Sequence, residues 1–320
     1  MDDKQTVYGV DVAKAELVIG HSEFEAVLRI VNTAQGIAAW LAQLPAGTAV
    51  AMEASGHYHQ LLAHMAHAAG MRVYVLNAQR IKDYGRAVGN RGKTDRLDAQ
   101  LIARYVLREH SKLRVWTPAA PAADTLSRLL VRRQALVKAR QMLGQSLSGV
   151  AALKAPRQTL LASLKRMLTH LELFIRVELA RVPTMAALHR RLMSIVGVGP
   201  ILAAQLVACF TSLCFTRADS FIAYTGLDPR PDDSGKRRGR RRLSKHGHAM
   251  LRCLLYNGAM AAARSKLFKP MYTQLRDRGL QSTEAIVVLA RKLARIAFAI
   301  YKSGDTFNHD QHLKTARQQS

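Results

Sequence analysis

Aromatic side chains are scarce in this 320-residue chain, at 6%, with only two tryptophans. Ala, Leu, Val and Ile must therefore fill its cores. The chain is 49% hydrophobic, enough for real cores, and its length suggests about two domains. Cysteine is nearly absent: Cys209, Cys214 and Cys253 are the full set. An odd count without a Cys-x-x-Cys pair argues against a disulfide framework and against a cysteine zinc site. The three read as small buried apolar residues in a reducing cytoplasm. Long apolar runs are missing too. Lys or Arg interrupts each candidate before it reaches the length of a membrane span. The opening Met-Asp-Asp-Lys lacks the basic-then-apolar order of a signal peptide, so a cytoplasmic location is expected.

Negative charge is the next shortage. Against 48 Lys+Arg stand 22 Asp+Glu, a formal net charge of +26. A positive field of that size favours a polyanionic partner. The imbalance is local. Residues 1–110 hold twelve Lys+Arg and eleven Asp+Glu, whereas residues 111–320 hold 36 and 11. A neutral part with a few placed carboxylates can hold metal ions, and a basic part can hold nucleic acid.

The first hundred residues mix strand and helix signals. Strands are expected over 7–12, 16–20, 26–31, 48–52 and 71–76. Helices are expected over 33–44, 57–69, 78–88 and 94–109. Three strands, then alternating helices and strands, is the order of an RNase H-like α/β domain. Residues 117–123 form a Pro/Ala-rich hinge. Beyond it the chain reads as almost wholly helical. Residues 124–150 and 158–182 predict two long helices with Pro156 between them. Leu126, Leu129, Leu130, Ala135 and Leu136 on one, and Leu161, Leu164, Leu168, Leu171 and Ile175 on the other, suit a coiled-coil contact. A hairpin within one subunit and a dimer arm explain that spacing equally well. Residues 183–305 read as a compact helical domain. In it, Gly197-Val198-Gly199-Pro200 opens a helix and is expected to offer backbone N–H groups to a phosphate. The expected division is therefore 1–115, 116–182, 183–305 and a polar, disordered tail over 306–320.

Four acids stand out in the neutral part. Asp11 ends the first strand in Gly9-Val10-Asp11-Val12. Glu53 ends the next core strand in Met52-Glu53-Ala54-Ser55-Gly56. A charge at the end of an apolar strand needs a partner, because burying it bare is costly. Asp95 and Asp98 are three apart near a helix start and share one face. Helix capping explains one of that pair, but not the two strand-end acids. Four hard oxygen donors suit Mg²⁺ or Mn²⁺. Two such ions can serve the attacking and leaving oxygens of a phosphodiester. His57, His59, His64 and His67 follow Glu53. They read as an exposed helix face, with His57 or His59 near enough to the acids to touch substrate.

The densest charge lies over 230–245, where eight of sixteen residues are cationic. Lys236, Arg237, Arg238, Arg240, Arg241, Arg242 and Lys245 are the candidate nucleic-acid contacts, in what reads as a phosphate-gripping loop. Ser234 lies at its mouth. A serine before glycine is usually a turn residue. Beside a cation clamp its hydroxyl can also attack phosphorus. Ser244 reads as an ordinary N-cap for a helix over 245–256.

These blocks resemble the insertion-sequence one-ten (IS-one-ten) family of DEDD transposases, whose relatives include pilin-gene inversion recombinases. The resemblance rests on Gly9-Val10-Asp11-Val12-Ala13-Lys14, Glu53-Ala54-Ser55-Gly56-His57-Tyr58, and Lys93-Thr94-Asp95-Arg96-Leu97-Asp98-Ala99. Gly197-Val198-Gly199-Pro200 and Gly226-Leu227-Asp228-Pro229-Arg230 with Ser234-Gly235 complete it. The order is kept over nearly the whole chain, and the Lys-Thr-Asp-x-x-Asp-Ala block is the most specific piece. The resemblance implies an N-terminal RuvC-like domain, a helical coiled-coil segment and a helical C-terminal transposase domain. It implies Mg²⁺ on Asp11, Glu53, Asp95 and Asp98, and Ser234 as a nucleophile forming a 5′-phosphoserine bond with DNA. It further implies a noncoding bridge RNA that pairs with donor and target DNA, dimers that assemble into a tetramer, and a nucleoid-associated bacterial protein. Asp233 stands where several relatives carry glutamate, which keeps an acid. Two other readings compete: a RuvC-like junction-resolving nuclease that uses water, and a noncatalytic nucleic-acid-binding protein.

Overall fold

The computed structural model describes residues 6–24, 26–54, 58–89, 95–230, 233–234, 237–238 and 242–308; of Arg230, Asp233, Ser234, Arg237, Arg238 and Arg242 only the backbone is described. The chain divides into two units, Met1–Pro118 and Ala119–Ser320.

The first unit is built on a five-stranded sheet of order β3-β2-β1-β4-β5. Its strands are β1 (Val7–Val12), β2 (Glu16–His21), β3 (Val27–Val31), β4 (Ala49–Glu53) and β5 (Arg72–Leu76). β1, β2 and β3 form an antiparallel meander. β4 and β5 run parallel to β1. Between and after them lie α1 (Ala34–Leu41), α2 (His59–Ala68), α3 (Ala78–Ala87) and α4 (Asp95–Glu109). Thr33 caps α1 and Asn77 caps α3, each accepting a backbone N–H in the first turn.

Strand alternation assigns the two faces. Val10, Val12, Leu17, Ile19, Val50 and Met52 pack with Ile37, Trp40 and Leu62 of α1 and α2. Val7, Ala49 and Ala51 face the other way, with Ile81 of α3 and Leu101, Ile102, Ala103 and Val106 of α4. Helix α4 lies unusually close to the sheet because glycines leave room. A Cβ on Gly9 would stand 2.1 Å from the Ala99 carbonyl oxygen, and one on Gly20 2.9 Å from the Gln100 nitrogen. Gly9→Val should therefore push α4 off the sheet and destabilise the unit by about 1–3 kcal/mol or more. A thermal midpoint equal to that of the parent chain would contradict this packing.

The second unit is helical: α5 (Pro121–Ser146), α6 (Lys154–Arg181), α7 (Pro183–Met193), α8 (Pro200–Ser212) and α9 (Ala218–Thr225), then α10 (Ala249–Ala262), α11 (Lys269–Asp277) and α12 (Ser282–Ser303). α5 and α6 run antiparallel. Arg133 meets Glu172 at 2.7 Å midway along the pair, and Arg157 donates to the Gly144 carbonyl near the connecting end. Leu126, Leu130, Leu168 and Ile175 are buried along them. α8 is buried over nine consecutive residues, Leu202–Phe210, as a central helix must be. An aromatic cluster lies beside it. Phe210 stacks on Tyr301 with centroids 4.4 Å apart, and Phe215, Phe221 and Phe298 close the cluster.

Several expectations change here. Pro156 does not separate the long helices but sits in the first turn of α6. No intrahelical N–H is lost at that position. Likewise the Pro/Ala hinge is shorter than its composition suggests, because Pro121 opens α5. Cys209 is buried, but Cys214 and Cys253 are exposed, against the expectation for all three. Gly197 has a packing reason of its own: a Cβ there would meet the Gly258 carbonyl oxygen at 2.5 Å, and its φ is +91°. Of the expected polar tail, residues 309–320 lie outside the described residues. No described helix is long and apolar enough to cross a membrane.

Candidate active site

Alternation along β1 puts Asp11 on the same face as Gly9, and so under α4. Gly9 lies beneath Ala99 and Ala103. Asp11 is two residues further along the strand, and Asp95 and Asp98 are up to one helical turn earlier on α4. β4 runs parallel beside β1 with Val10 opposite Met52, so Glu53 neighbours Asp11 across the strands. Ala49 and Ala51 point into the α4-side core, and Glu53 shares their face. The ends of β1 and β4 and the start of α4 thus place the four acids on one face of the sheet, the other three within electrostatic reach of Asp11.

The electrostatics agree. The Asp11 carboxyl is pushed up to about 6, first by desolvation and then by repulsion from Asp98, Asp95 and Glu53. Asp95 is the most exposed of the helix pair and lies 3.6 Å from Arg29 of β3, which also holds Glu16 at 2.6 Å. Arg29 was not apparent as a site neighbour from sequence, because only the β2–β3 pairing carries it there. Among the described residues, no three His, Cys, Asp or Glu side chains stand close enough to share one metal ion. The donor set nonetheless suits a hard divalent cation: four carboxylates repel one another, and such an ion is the group that relieves the repulsion.

The sign of the Asp11 shift gives a prediction. Its folded value lies above its unfolded one, so ionising it costs stability above about pH 6. The cost fades as pH falls through that value towards 3.8. Asp11→Asn should therefore stabilise the fold at pH 7.5, on the order of 1 kcal/mol. The gain should vanish near pH 4. Equal thermal midpoints for the two proteins at pH 7.5 would contradict the crowding of charge at Asp11.

His64 and His67 of α2 stand perpendicular to the Trp116 ring, with centroids 5.1 and 6.0 Å away. His64 is exposed and His67 half-buried. His59 is half-buried in the first turn of α2. His57 lies outside the described residues.

In the second unit the basic segment is a hairpin, not an open loop. β6 (Pro229–Arg230) pairs antiparallel with β9 (Arg242–Leu243). Inside that pair, β7 (Asp233–Ser234) pairs with β8 (Arg237–Arg238), with Ser234 opposite Arg237. Lys236, Arg240 and Arg241 lie outside the described residues. Lys245 is exposed, with φ +56°.

Ser244 is not an N-cap. Helix α10 begins at Ala249, and the His248 side chain caps it by accepting from the Leu251 N–H. The Ser244 hydroxyl instead donates to the Asp228 carboxylate, while its N–H donates to the Asp228 carbonyl at 3.0 Å. Arg291 donates to the adjacent Leu227 carbonyl at 3.0 Å. These bonds pin the base of the hairpin to α12. Sequence reading had Asp228 only as part of a motif block, without its Ser244 partner, and missed Arg291 altogether, since these contacts join residues apart in the chain.

Two transposase family models match: an IS110 DEDD transposase model over residues 8–155, and one of the IS116/IS110/IS902 family over 189–273. Together they cover well over half of the chain. The chain belongs to the IS110 family of transposases. It is thus a DNA-processing enzyme. The first match spans Asp11, Glu53, Asp95 and Asp98, and the second spans the hairpin with Ser234. The transposase is 26% identical to a pilin gene-inverting protein of Moraxella bovis, over 96% of this chain and 99% of that protein. It is 28% identical to the transposase for insertion sequence element IS1111A of Coxiella burnetii, over 94% and 91% of the two chains. A probable family 20 transposase of Pseudomonas aeruginosa is 33% identical over 47% of each chain.

Proposed function

We propose that this transposase cuts and rejoins DNA with two chemical centres, one in each unit. Asp11, Glu53, Asp95 and Asp98 hold Mg²⁺ or Mn²⁺. The single observation that carries this is the placement of the ends of β1 and β4 beneath the start of α4, which sets Glu53 beside Asp11 and the helix acids over it. Ions of this class supply Lewis-acid stabilisation to a phosphodiester under attack. The strand order β3-β2-β1-β4-β5 supports an RNase H-like, RuvC-like assignment for the first unit. Strand exchange in Mg²⁺ and its loss in excess EDTA test the centre; full activity in EDTA would sink it.

The second centre is Ser234. Its hydroxyl oxygen forms a bond to phosphorus as the bond from phosphorus to the DNA 3′-oxygen breaks. The serine proton is lost, the 3′-oxygen leaves and takes up a proton as a 3′-hydroxyl, and the 5′-phosphate stays on the serine. Reversal by another 3′-hydroxyl rejoins the strand without ATP. Lys236, Arg237, Arg238, Arg240, Arg241, Arg242 and Lys245 hold phosphates around it. With 36 Lys+Arg against 11 Asp+Glu over residues 111–320, nucleic-acid binding should depend steeply on salt. Each neutralised duplex phosphate adds about 0.9 to the log–log slope. Affinity that stays flat with salt would assign the charge to another partner.

Partners follow from the same reading: donor and target DNA, a noncoding bridge RNA, and other copies of this chain as dimers that pair into a tetramer. The long helices support self-association. Leu160, Met167 and Phe174 recur every seven residues on α6 and are 39%, 54% and 56% exposed. That row lies outside the seam buried within the hairpin. The similarity to a pilin gene-inverting protein supports site-specific inversion as an alternative outcome of the same chemistry.

A further inference from the structure

Helices α3 and α4 leave a groove between them of about 320 Å³. Tyr84 of α3, Val88 just past its end, and Leu97, Leu101, Arg104 and Arg108 of α4 are among the residues that line it. No carboxylate lines it among the described residues. The groove begins at Leu97, next to Asp98, and runs away from the acids along α4. Arg104 lies six residues beyond Asp98, about 9 Å along the helix axis, and Arg108 about 6 Å further.

Both arginines are exposed. Among the described residues neither forms an ion pair. Arg29, Arg86 and Lys112 of the same unit spend their charge on nearby acids, whereas these two keep theirs available to a ligand. Tyr84 is half-buried, and the Tyr105 ring holds it edge-on, with centroids 5.1 Å apart. The groove therefore offers a steadied aromatic ring, apolar side chains in Leu97, Leu101 and the exposed Val88, and two free guanidinium groups in a row. An aromatic face with adjacent cations suits a single strand, whose bases can leave the stack while its phosphates follow the charges. A paired duplex keeps its base faces covered.

We propose that this groove binds a single-stranded stretch of DNA, the flank of the strand being cut, with phosphates on Arg104 and Arg108 and a base on Tyr84. The direction of the strand, towards the acids, rests on the reading of those acids as the cutting centre. Binding in the groove does not.

The test uses the full chain in EDTA, so that no cleavage is needed. A short oligothymidine carrying 5-iododeoxyuridine is crosslinked by light, and the crosslinked peptides are mapped by mass spectrometry. The expected crosslink is at Tyr84. Arg104→Ala/Arg108→Ala should reduce it about tenfold at 0.15 M salt, and should lower its log–log salt slope by about 1.4 for two single-strand phosphates. Arg104→Lys/Arg108→Lys should keep the slope. Crosslinks confined to other peptides would overturn the proposal, as would a Tyr84 crosslink indifferent to both arginines. An RNA strand of the same sequence crosslinking at Tyr84 in preference to DNA would overturn it as well. A Tyr84 crosslink that persists in Asp98→Ala, where strand exchange is tested separately, supports the groove whatever the acids do. Loss of the crosslink there would tie the site to the acids and overturn it as an independent binding surface.

Discussion

A nicked or suicide DNA substrate is expected to leave a covalent adduct on Ser234. Two features lead to that expectation. Ser234 ends the inner strand β7, opposite Arg237 on β8, so cationic residues flank it in the ladder itself. The hairpin base is also fixed: Ser244 and Asp228 bridge its two strands, and Arg291 ties it to α12. A nucleophile needs such a fixed mount, since proximity is lost if the loop wanders. Ser234→Ala should still bind RNA and DNA but form no adduct, because alanine has no oxygen with which to attack phosphorus. Ser244→Ala should still form the adduct at Ser234, because its hydroxyl is engaged by Asp228. Mass spectrometry decides between them. An adduct surviving in Ser234→Ala, or mapping to Ser244, would remove Ser234 from this role. A chain that cuts DNA with no adduct at all would point to a water-using nuclease.

The acids carry the second large effect. Asp11→Ala, Glu53→Ala, Asp95→Ala and Asp98→Ala should each lower strand exchange by about 10²–10³-fold or more, the scale for losing one electrostatic group at a reacting centre. RNA binding should be largely unchanged, because the basic excess lies beyond residue 110. Thermal midpoints separate chemistry from folding. Asp11 substitutions relieve repulsion and desolvation, so this variant should be inactive yet no less stable than the parent. An active Asp11→Ala protein would defeat a shared metal centre.

The sequence by itself determined the elements of the first unit to within a few residues. It also determined the four acids as strand-end and helix-start residues, and the neutral and basic halves of the chain. Those features are local: period two or 3.6, a capping residue, a run of charge. Only the tertiary structure decided what stands next to what. Gly9 and Gly20 look like ordinary strand glycines until α4 lies on them, and that close approach sets the acids of the helix over Asp11. Ser244 carries the sequence signature of a cap, yet Asp228, sixteen residues earlier, claims its hydroxyl. Pro156 reads as a break but is tolerated in a first turn, and two of three cysteines stay at the surface. Arg104 and Arg108 are two charges among many in the sequence. The packing of α3 against α4 turns them, with Tyr84, into a groove. Distance along the chain says nothing about such neighbours, because they form only when side chains far apart in sequence are buried or brought together by the same fold.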